Sequence, residues 1–487
     1  MSTSPTLPTG APASGPQRLG WSLALLALAQ LIFSLDLNIV FVALPDIGAD
    51  LGFPGQTQQL VVSAYVVLAG GFLLLGGRAA DLFGRRRVFI LALTIYAVSS
   101  LAGGLAESPA VIIAARAVQG IGGALLLPST LSLINTLFEE GPKRNKALAV
   151  WGGAGASGLT VGALLGGVLT ESFGWPAVFY VNVPLAGAVA LAALAVIPRD
   201  AQPTEKRKFD LPGALTATGG STLLVFSLVE GPEMGWTSAT VIAAFVAAVV
   251  LLVAFAGVEA RSKDPLMPFR LFRNRNLSVG MTVTFLYMAT FGTLPYFLTV
   301  LMQNVHGYSA LQTGLAFLVP SVAIATGTQL GERLTTRLGT RTTLIAGFVI
   351  GAVGTAILAL GFDADATYLT ALPGLIISGV GQGIVWTAMW IASSTGVAPN
   401  EQGIANGMAS TTLNIGNAIG LAILTVIADA GTGGKAGDAL REATAAAPRV
   451  GVTWVLQLLA GVLAVLLLVR WFLLAGGDIL MRPVRCH

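Results

Sequence analysis

The sequence predicts an all-α integral membrane protein with fourteen spanning helices. Three observations predict it: apolar runs of about 20 residues, a one-sided placement of Lys and Arg between them, and a Gly/Arg pattern that occurs twice. The 487 residues are 54% hydrophobic and only 10% charged, with a mean hydropathy of +0.79. Soluble domains carry about 25% charged residues, so this chain lacks the charge to cover water-facing domains. Its 60 glycines sit inside the apolar runs without a three-residue period, which suits closely packed membrane helices.

The runs fall at Gly20–Leu44, Gln59–Ala79, Val88–Ala106, Ala110–Leu137, Ala147–Leu169, Ala177–Ile197, Leu211–Val229, Thr240–Val258, Leu277–Gln303, Leu311–Gln329, Leu344–Leu360, Tyr368–Ser393, Ile404–Ile427 and Gly451–Leu474. The first is too long, and too poorly flanked by positive charge, to read as a cleaved signal peptide. Fourteen crossings put both termini on one side, and Lys and Arg favour the cytoplasm. With cytoplasmic termini, the inner side holds all but four of the 27 lysines and arginines. Lys435, Arg441 and Arg449 face out, and Arg116 lies within a span. The charge asymmetry supports the helix count independently and explains the net charge of +4 without nucleic acid.

The recurring pattern organises the chain. Gly76, Arg78, Gly84 and Arg86 run from the end of the second span into the turn before the third; Gly331, Arg333, Gly339 and Arg341 lie between the tenth and eleventh at one constant offset. The same offset carries Gly152 onto Gly407. The expected organisation is a tail at 1–19, a six-helix bundle at 20–198, a linker at 199–210, an inserted pair at 211–260, a linker at 261–276, a second six-helix bundle at 277–475 and a tail at 476–487. Two pseudo-equivalent bundles with a site between them are the architecture of alternating-access carriers.

These residues resemble a known family, the fourteen-span drug:proton antiporter branch of the major facilitator superfamily. The resemblance rests on Leu35-Asp-Leu-Asn-Ile-Val-Phe-Val-Ala-Leu-Pro45, on the loop motif Gly77-Arg-Ala-Ala-Asp81-Leu-Phe-Gly84-Arg-Arg-Arg87 and on Arg116-Ala-Val-Gln-Gly120. Trp175 through Asn182-Val-Pro184, Gly307-Tyr308-Ser309 and Pro320 are similar to further marks of the family. It implies the major facilitator fold, two six-helix pseudo-repeat bundles plus two inserted helices, and a latch at Gly77, Asp81, Gly84, Arg85 and Arg86 that joins the halves when the carrier faces outward. Two departures stand out. The helix-five motif reads Gly162-Ala163-Leu-Leu-Gly166-Gly167, without the usual proline, and Thr336 stands where the first loop has Asp81.

Asp36 is the first candidate for the chemistry. A charge at bilayer depth costs about 2.5–3.5 kcal/mol and usually faces a cavity or a partner. Glu230 and Glu259 fall near helix ends. Burial favours a carboxylate's neutral form, so protonation and a cationic substrate would compete for one charge. Arg116 is the second candidate. At ~1.5 Å per residue, Asp36 lies about 12–14 Å and Arg116 about 9–11 Å below the outer ends of their spans. Comparable depth allows the arginine to tune the carboxylate. In span five Gly158, Gly162 and Gly166, with Gly167 beside them, form a stripe suited either to sliding contact between the halves or to static packing. Tyr287, Tyr296, Gln303, Trp386, Trp390, Asn414 and Asn417 are candidates for lining a substrate cavity.

The lone Cys486 excludes an intramolecular disulfide and a multi-cysteine metal site, and His306 and His487 are too far apart in sequence to suggest a metal pair. Gly379-Val-Gly-Gln-Gly383 lies in an apolar helix with no preceding strand, so it is no dinucleotide loop. No phosphate loop or catalytic triad is present, which leaves an ion gradient as the energy source. A potential of about 100 mV supplies roughly 2.3 kcal/mol per charge.

The expected protein is a monomeric, cofactor-free, proton-coupled exporter of hydrophobic or cationic drugs in a bacterial cytoplasmic membrane. Its expected partners are a small-molecule substrate, protons and the lipid bilayer. A carrier of one endogenous metabolite, such as an amino acid or siderophore, is the alternative. A membrane receptor or enzyme would need a signalling domain or catalytic cluster, and the sequence offers neither.

Overall fold

A computed structural model describes residues 16–53, 58–200, 210–262, 264–360 and 367–432. Every regular element among them is helical. Twelve helices are long and apolar enough to cross a membrane, and they match the first twelve expected spans in order. We label them α1 (Pro16–Asp50), α2 (Leu60–Phe83), α3 (Arg85–Gly104), α4 (Pro109–Leu137) and α5 (Pro142–Phe173). Next come α6 (Ala177–Val196), α7 (Leu211–Met234), α8 (Ala239–Glu259) and α9 (Arg275–Gln303). Last are α10 (Leu311–Leu338), α11 (Thr340–Leu360) and α12 (Tyr368–Ser394).

A further long helix, α13 (Gln402–Thr432), carries the expected thirteenth span but is not one of the twelve. Its described residues include Asn406, Ser410, Thr411, Thr412, Asn414 and Asn417, and it packs against α2, α4, α7 and α9 rather than standing alone in lipid. The expected fourteenth span, Gly451–Leu474, lies outside the described residues.

Several expected boundaries move. Helix α1 runs six residues past Leu44, through Pro45, to Asp50. The motif from Gly77 to Asp81 is not a loop but the last turns of α2. A single residue, Gly84, makes the turn into α3, and Gly339 makes the matching turn from α10 into α11. Both have positive φ, +99° and +81°, the conformation that glycine adopts without steric cost. The repeat seen in the sequence is therefore a repeat of backbone shape.

Packing follows the same offset. α1 lies along α5, α2 along α4 and α3 along α4; α9 lies along α13, α10 along α12 and α11 along α12. Across the middle, α2 meets α13 and α5 meets α10, another equivalent pair. Helices α7 and α8 pack on each other, and α7 reaches both α2 and α13. The outer face of α8 leaves Phe245, Val246, Val250 and Val253 exposed, as a lipid-facing surface requires.

The α5 glycine stripe packs inside the first half and is not a sliding surface between halves. A Cβ on Gly158 would stand 2.5 Å from the Leu31 carbonyl oxygen, and one on Gly166 would stand 2.9 Å from that of Ile39. At Gly162 a Cβ would strike the Leu35 carbonyl group. These are backbone atoms that cannot swing aside. Only the neighbouring Gly167 looks across, toward Leu311.

Gly162→Ala should therefore lower stability by about 1–3 kcal/mol, the usual cost of overpacking. Gly187→Ala, where a Cβ meets nothing within 4 Å, should be neutral or slightly stabilising. Thermal unfolding in detergent checks both; equal effects would remove the special status of the α1–α5 contact.

Candidate functional site

Helix α1 places Asp36 in the interior of the first half, where it is fully buried. Arg116, on α4 and buried as completely, donates from Nη1 to Asp36 Oδ2 at 2.6 Å. Gln119 lies one turn along α4, and its Nε2 donates to Asp36 Oδ1 at 2.9 Å. Asn182 of α6 donates to the same oxygen at 2.9 Å. The arginine is fixed in turn. Its Nη1 also donates to Gln119 Oε1 at 2.7 Å, its Nε donates to the Val61 carbonyl at 3.2 Å, and its Cζ stands 4.3 Å over the Tyr65 ring centroid. Gln119 further donates to Ser100 Oγ at 2.8 Å.

A buried charge is tolerable only when paired and hydrogen-bonded, and this network supplies both. Removing one partner of such a pair typically costs about 3–5 kcal/mol, because the other charge is left uncompensated. The chemistry available is a proton switch: a proton on Asp36 cancels the charge that holds Arg116. The comparable depth of Asp36 and Arg116 is realised as a direct ion pair. Both carboxylate oxygens are occupied by groups of α4 and α6 within one half.

Sequence reasoning met Gln119 and Asn182 only inside family-like motifs, and gave neither of them, nor Ser100 or Tyr65, a role at the site. Gln119 sits three residues after Arg116, on one helix face, and could have been found from that spacing. The others come from α6, α3 and α2, whose rotation about their axes no local pattern specifies.

A second set of residues joins the halves at the end of the bundle that carries the arginine-rich turns. Asp81 accepts from the backbone amides of Gly403 and Ile404, at 3.0 and 2.8 Å. These amides open α13, where the first-turn N–H groups lack helical partners and favour a negative charge. Arg85 donates to Asp81 Oδ1 at 3.2 Å and also to the Pro399 carbonyl. Gly77 lies so close to Gly403 and Gly407 that a Cβ would stand 2.9 Å from the Gly407 Cα. Arg270, just before α9, pairs with Glu401 at the same helix end.

Arg86 is not part of this junction. It donates to the Leu194 carbonyl of α6, and its backbone amide donates to Asp200 Oδ1 at 3.0 Å. Gly84 shapes the turn beside Asp200. At the equivalent junction, Thr336 accepts from Asn145 Nδ2 at 3.1 Å. The two junctions thus differ chemically: a carboxylate on a helix terminus in one, a neutral hydroxyl–amide bond in the other.

The proposed cavity residues scatter. Tyr287, Trp386 and Trp390 come together, joined by Trp151 of α5, which sequence reasoning missed. Tyr296 is exposed, with its ring against Phe297. Asn414 donates to the Ser410 carbonyl of its own helix at 3.1 Å. Asn417 and Gln303 are half-buried. Among the described residues no group of three or more His, Cys, Asp or Glu side chains could hold a metal ion.

Comparison with known proteins agrees with this geometry. The Major Facilitator Superfamily family profile matches residues 26–421. The chain is 37% identical to the puromycin resistance protein Pur8 of Streptomyces alboniger, covering 95% of this chain and 93% of that protein. It is 39% identical to the cephamycin export protein CmcT of Amycolatopsis lactamdurans, covering 85% and 86% of the two chains. Among solved structures it resembles the human organic anion transporter MFSD10, with a TM-score of 0.67 at 19% identity, covering 93% of this chain and 100% of that one. The proton:xylose symporter XylE aligns with a TM-score of 0.63 at 15% identity, covering 91% and 95%. Those likenesses carry the fold. The chain belongs to the major facilitator superfamily, as a multi-pass membrane transporter and not an enzyme.

Proposed function

We propose that the protein exports antibiotic-like small molecules across the cytoplasmic membrane in exchange for protons. The observation that carries the reading is the buried Asp36–Arg116 pair, an ionisable switch inside a bundle that two halves must rock to operate. The similarity to Pur8 and CmcT over most of the chain supports drugs or antibiotics as cargo.

In this reading the arginine-rich end is cytoplasmic, both termini lie there, and the chain crosses the membrane fourteen times as a monomer. Residues 20–198 and 277–475 are the two moving halves. In this reading, the arrangement with Asp81 on the first amides of α13 is the one closed toward the cytoplasm. A proton taken from outside neutralises Asp36 and frees Arg116. The change reaches the other half through the α1–α5 glycine contact, because α5 lies along α10 and against α12. Proton and drug are thereby coupled through the fold of one half and need not share an atom.

Inverted membrane vesicles test this. Asp36→Asn should abolish drug accumulation driven by a pH gradient, while drug exchange at equilibrium without a gradient persists. Accumulation by Asp36→Asn, normally expressed and with unchanged pH dependence, would overturn the coupling role. A compound panel in the same vesicles separates a drug exporter from a carrier of one metabolite.

The latch yields a second expectation. In a Cys486→Ser background, a cysteine placed at the buried position Ser410 reports opening at the cytoplasmic end. Asp81→Asn should speed its alkylation by a membrane-impermeant reagent roughly five- to thirtyfold, the factor for about 1–2 kcal/mol of lost helix-terminus interaction. No acceleration would mean that Asp81 does not hold this end shut.

A further inference from the structure

Three tryptophans meet where the two halves touch. Trp151 of α5 stacks on Trp386 of α12, with ring centroids 6.2 Å apart and planes 14° apart. Trp390, one turn further along α12, sets its ring edgewise to Trp151 at 5.8 Å and to Trp386 at 5.9 Å. Tyr287 of α9 leans on Trp386 at 5.5 Å. Trp151 and Trp390 are almost completely enclosed, at 0% and 1% exposure.

All three indole Nε1–H groups are buried without a hydrogen-bond partner. A buried tryptophan N–H usually finds an acceptor, and leaving one unmet is costly. Three unmet donors in one cluster, contributed by both halves, describe a site whose acceptors arrive from outside the chain. The ring faces are largely occupied by one another, so face-on capture of a cation is already spent. What remains on offer is the N–H edges. Gly152 shows how tightly the cluster is set: a Cβ there would stand 2.7 Å from Trp386 Cδ1 and 2.9 Å from its Nε1. By helix rise the cluster lies about 6–14 Å inside the latched end, where the halves must part for a substrate to enter from the cytoplasm.

We propose that Trp151, Trp386 and Trp390 form the substrate-selecting site, and that their indole N–H groups recognise uncharged planar molecules bearing carbonyl or ether oxygens. The site thus selects for hydrogen-bond acceptors and not for positive charge. It deepens the exporter reading and rests on it for the word substrate. It also explains how Asp36 can stay wholly within the first half: the ligand has no need of its charge.

Two planar probes of similar size separate the possibilities at pH 5.5: emodin, a hydroxyanthraquinone that is uncharged at that pH, and ethidium, a permanent cation. Binding of each to the purified full chain is measured for wild type, Trp386→Phe and Trp390→Phe. Emodin affinity should fall about fivefold for each N–H removed, within the range of a single net hydrogen bond, while ethidium affinity stays level. Should phenylalanine disturb folding, benzothienylalanine introduced at position 386 keeps the bicyclic shape and lacks the N–H; the same emodin-selective loss is expected. Equal losses for both probes, no loss for emodin, or tighter wild-type binding of ethidium than of emodin would overturn the proposal. Vesicle transport keeps the two readings apart. N–H-dependent emodin binding without any export leaves the site standing and removes the exporter, whereas export of a drug panel without N–H dependence removes only the site.

Discussion

The rest of this structure depends on an ion pair held where water and counter-ions cannot reach it. A carboxylate and a guanidinium inside a lipid-bounded bundle must satisfy each other and all their remaining hydrogen-bonding capacity from the protein. Asp36 and Arg116 do so by drawing in Gln119, Asn182, the Val61 carbonyl and the face of Tyr65. Helices α1, α2, α4 and α6 are thereby tied to one point. In the proposed exchange cycle, a single proton would change the electrostatics of that point and of every helix bound to it.

In that cycle, the hardness of the neighbouring contacts would turn a local change into a change of access. Backbone meets backbone where α5 crosses α1 at Gly158, Gly162 and Gly166, so there is no side-chain cushion to absorb a shift. Backbone meets backbone again where Gly77 faces Gly403 and Gly407 across the halves. Close-packed interfaces of this kind have discrete arrangements and do not deform continuously. An electrostatic contact lies beside them: the Asp81 carboxylate on the opening amides of α13, with Arg270 and Glu401 nearby.

Much of this was legible in the sequence, for stated reasons. Twelve spans declared themselves by length and apolarity. The twofold Gly/Arg pattern marked two equivalent turns because only glycine sits easily at the φ of Gly84 and Gly339. Asp36 and Arg116 stood out because charge is rare at that depth. What escaped was three-dimensional: the partner of Asp81 is a pair of backbone amides, which have no residue type to search for. The direction of the α5 stripe depended on helix rotation, so small residues that could have served either interface proved to serve α1. Trp151 was hidden because an aromatic residue in an apolar helix is unremarkable until its neighbours on another helix are known.

The most direct measurement of the central claim is a distance across the latched end as a function of pH. Spin labels at Glu139, in the turn before α5, and at Leu338, which ends α10 and is exposed, report the separation of the halves in a Cys486→Ser background. In the otherwise unmodified chain the distance distribution should shift toward longer separations as pH falls. With Asp36→Asn it should lose that pH dependence. An identical shift with an identical midpoint in both proteins would contradict the claim that this buried carboxylate governs which way the carrier opens.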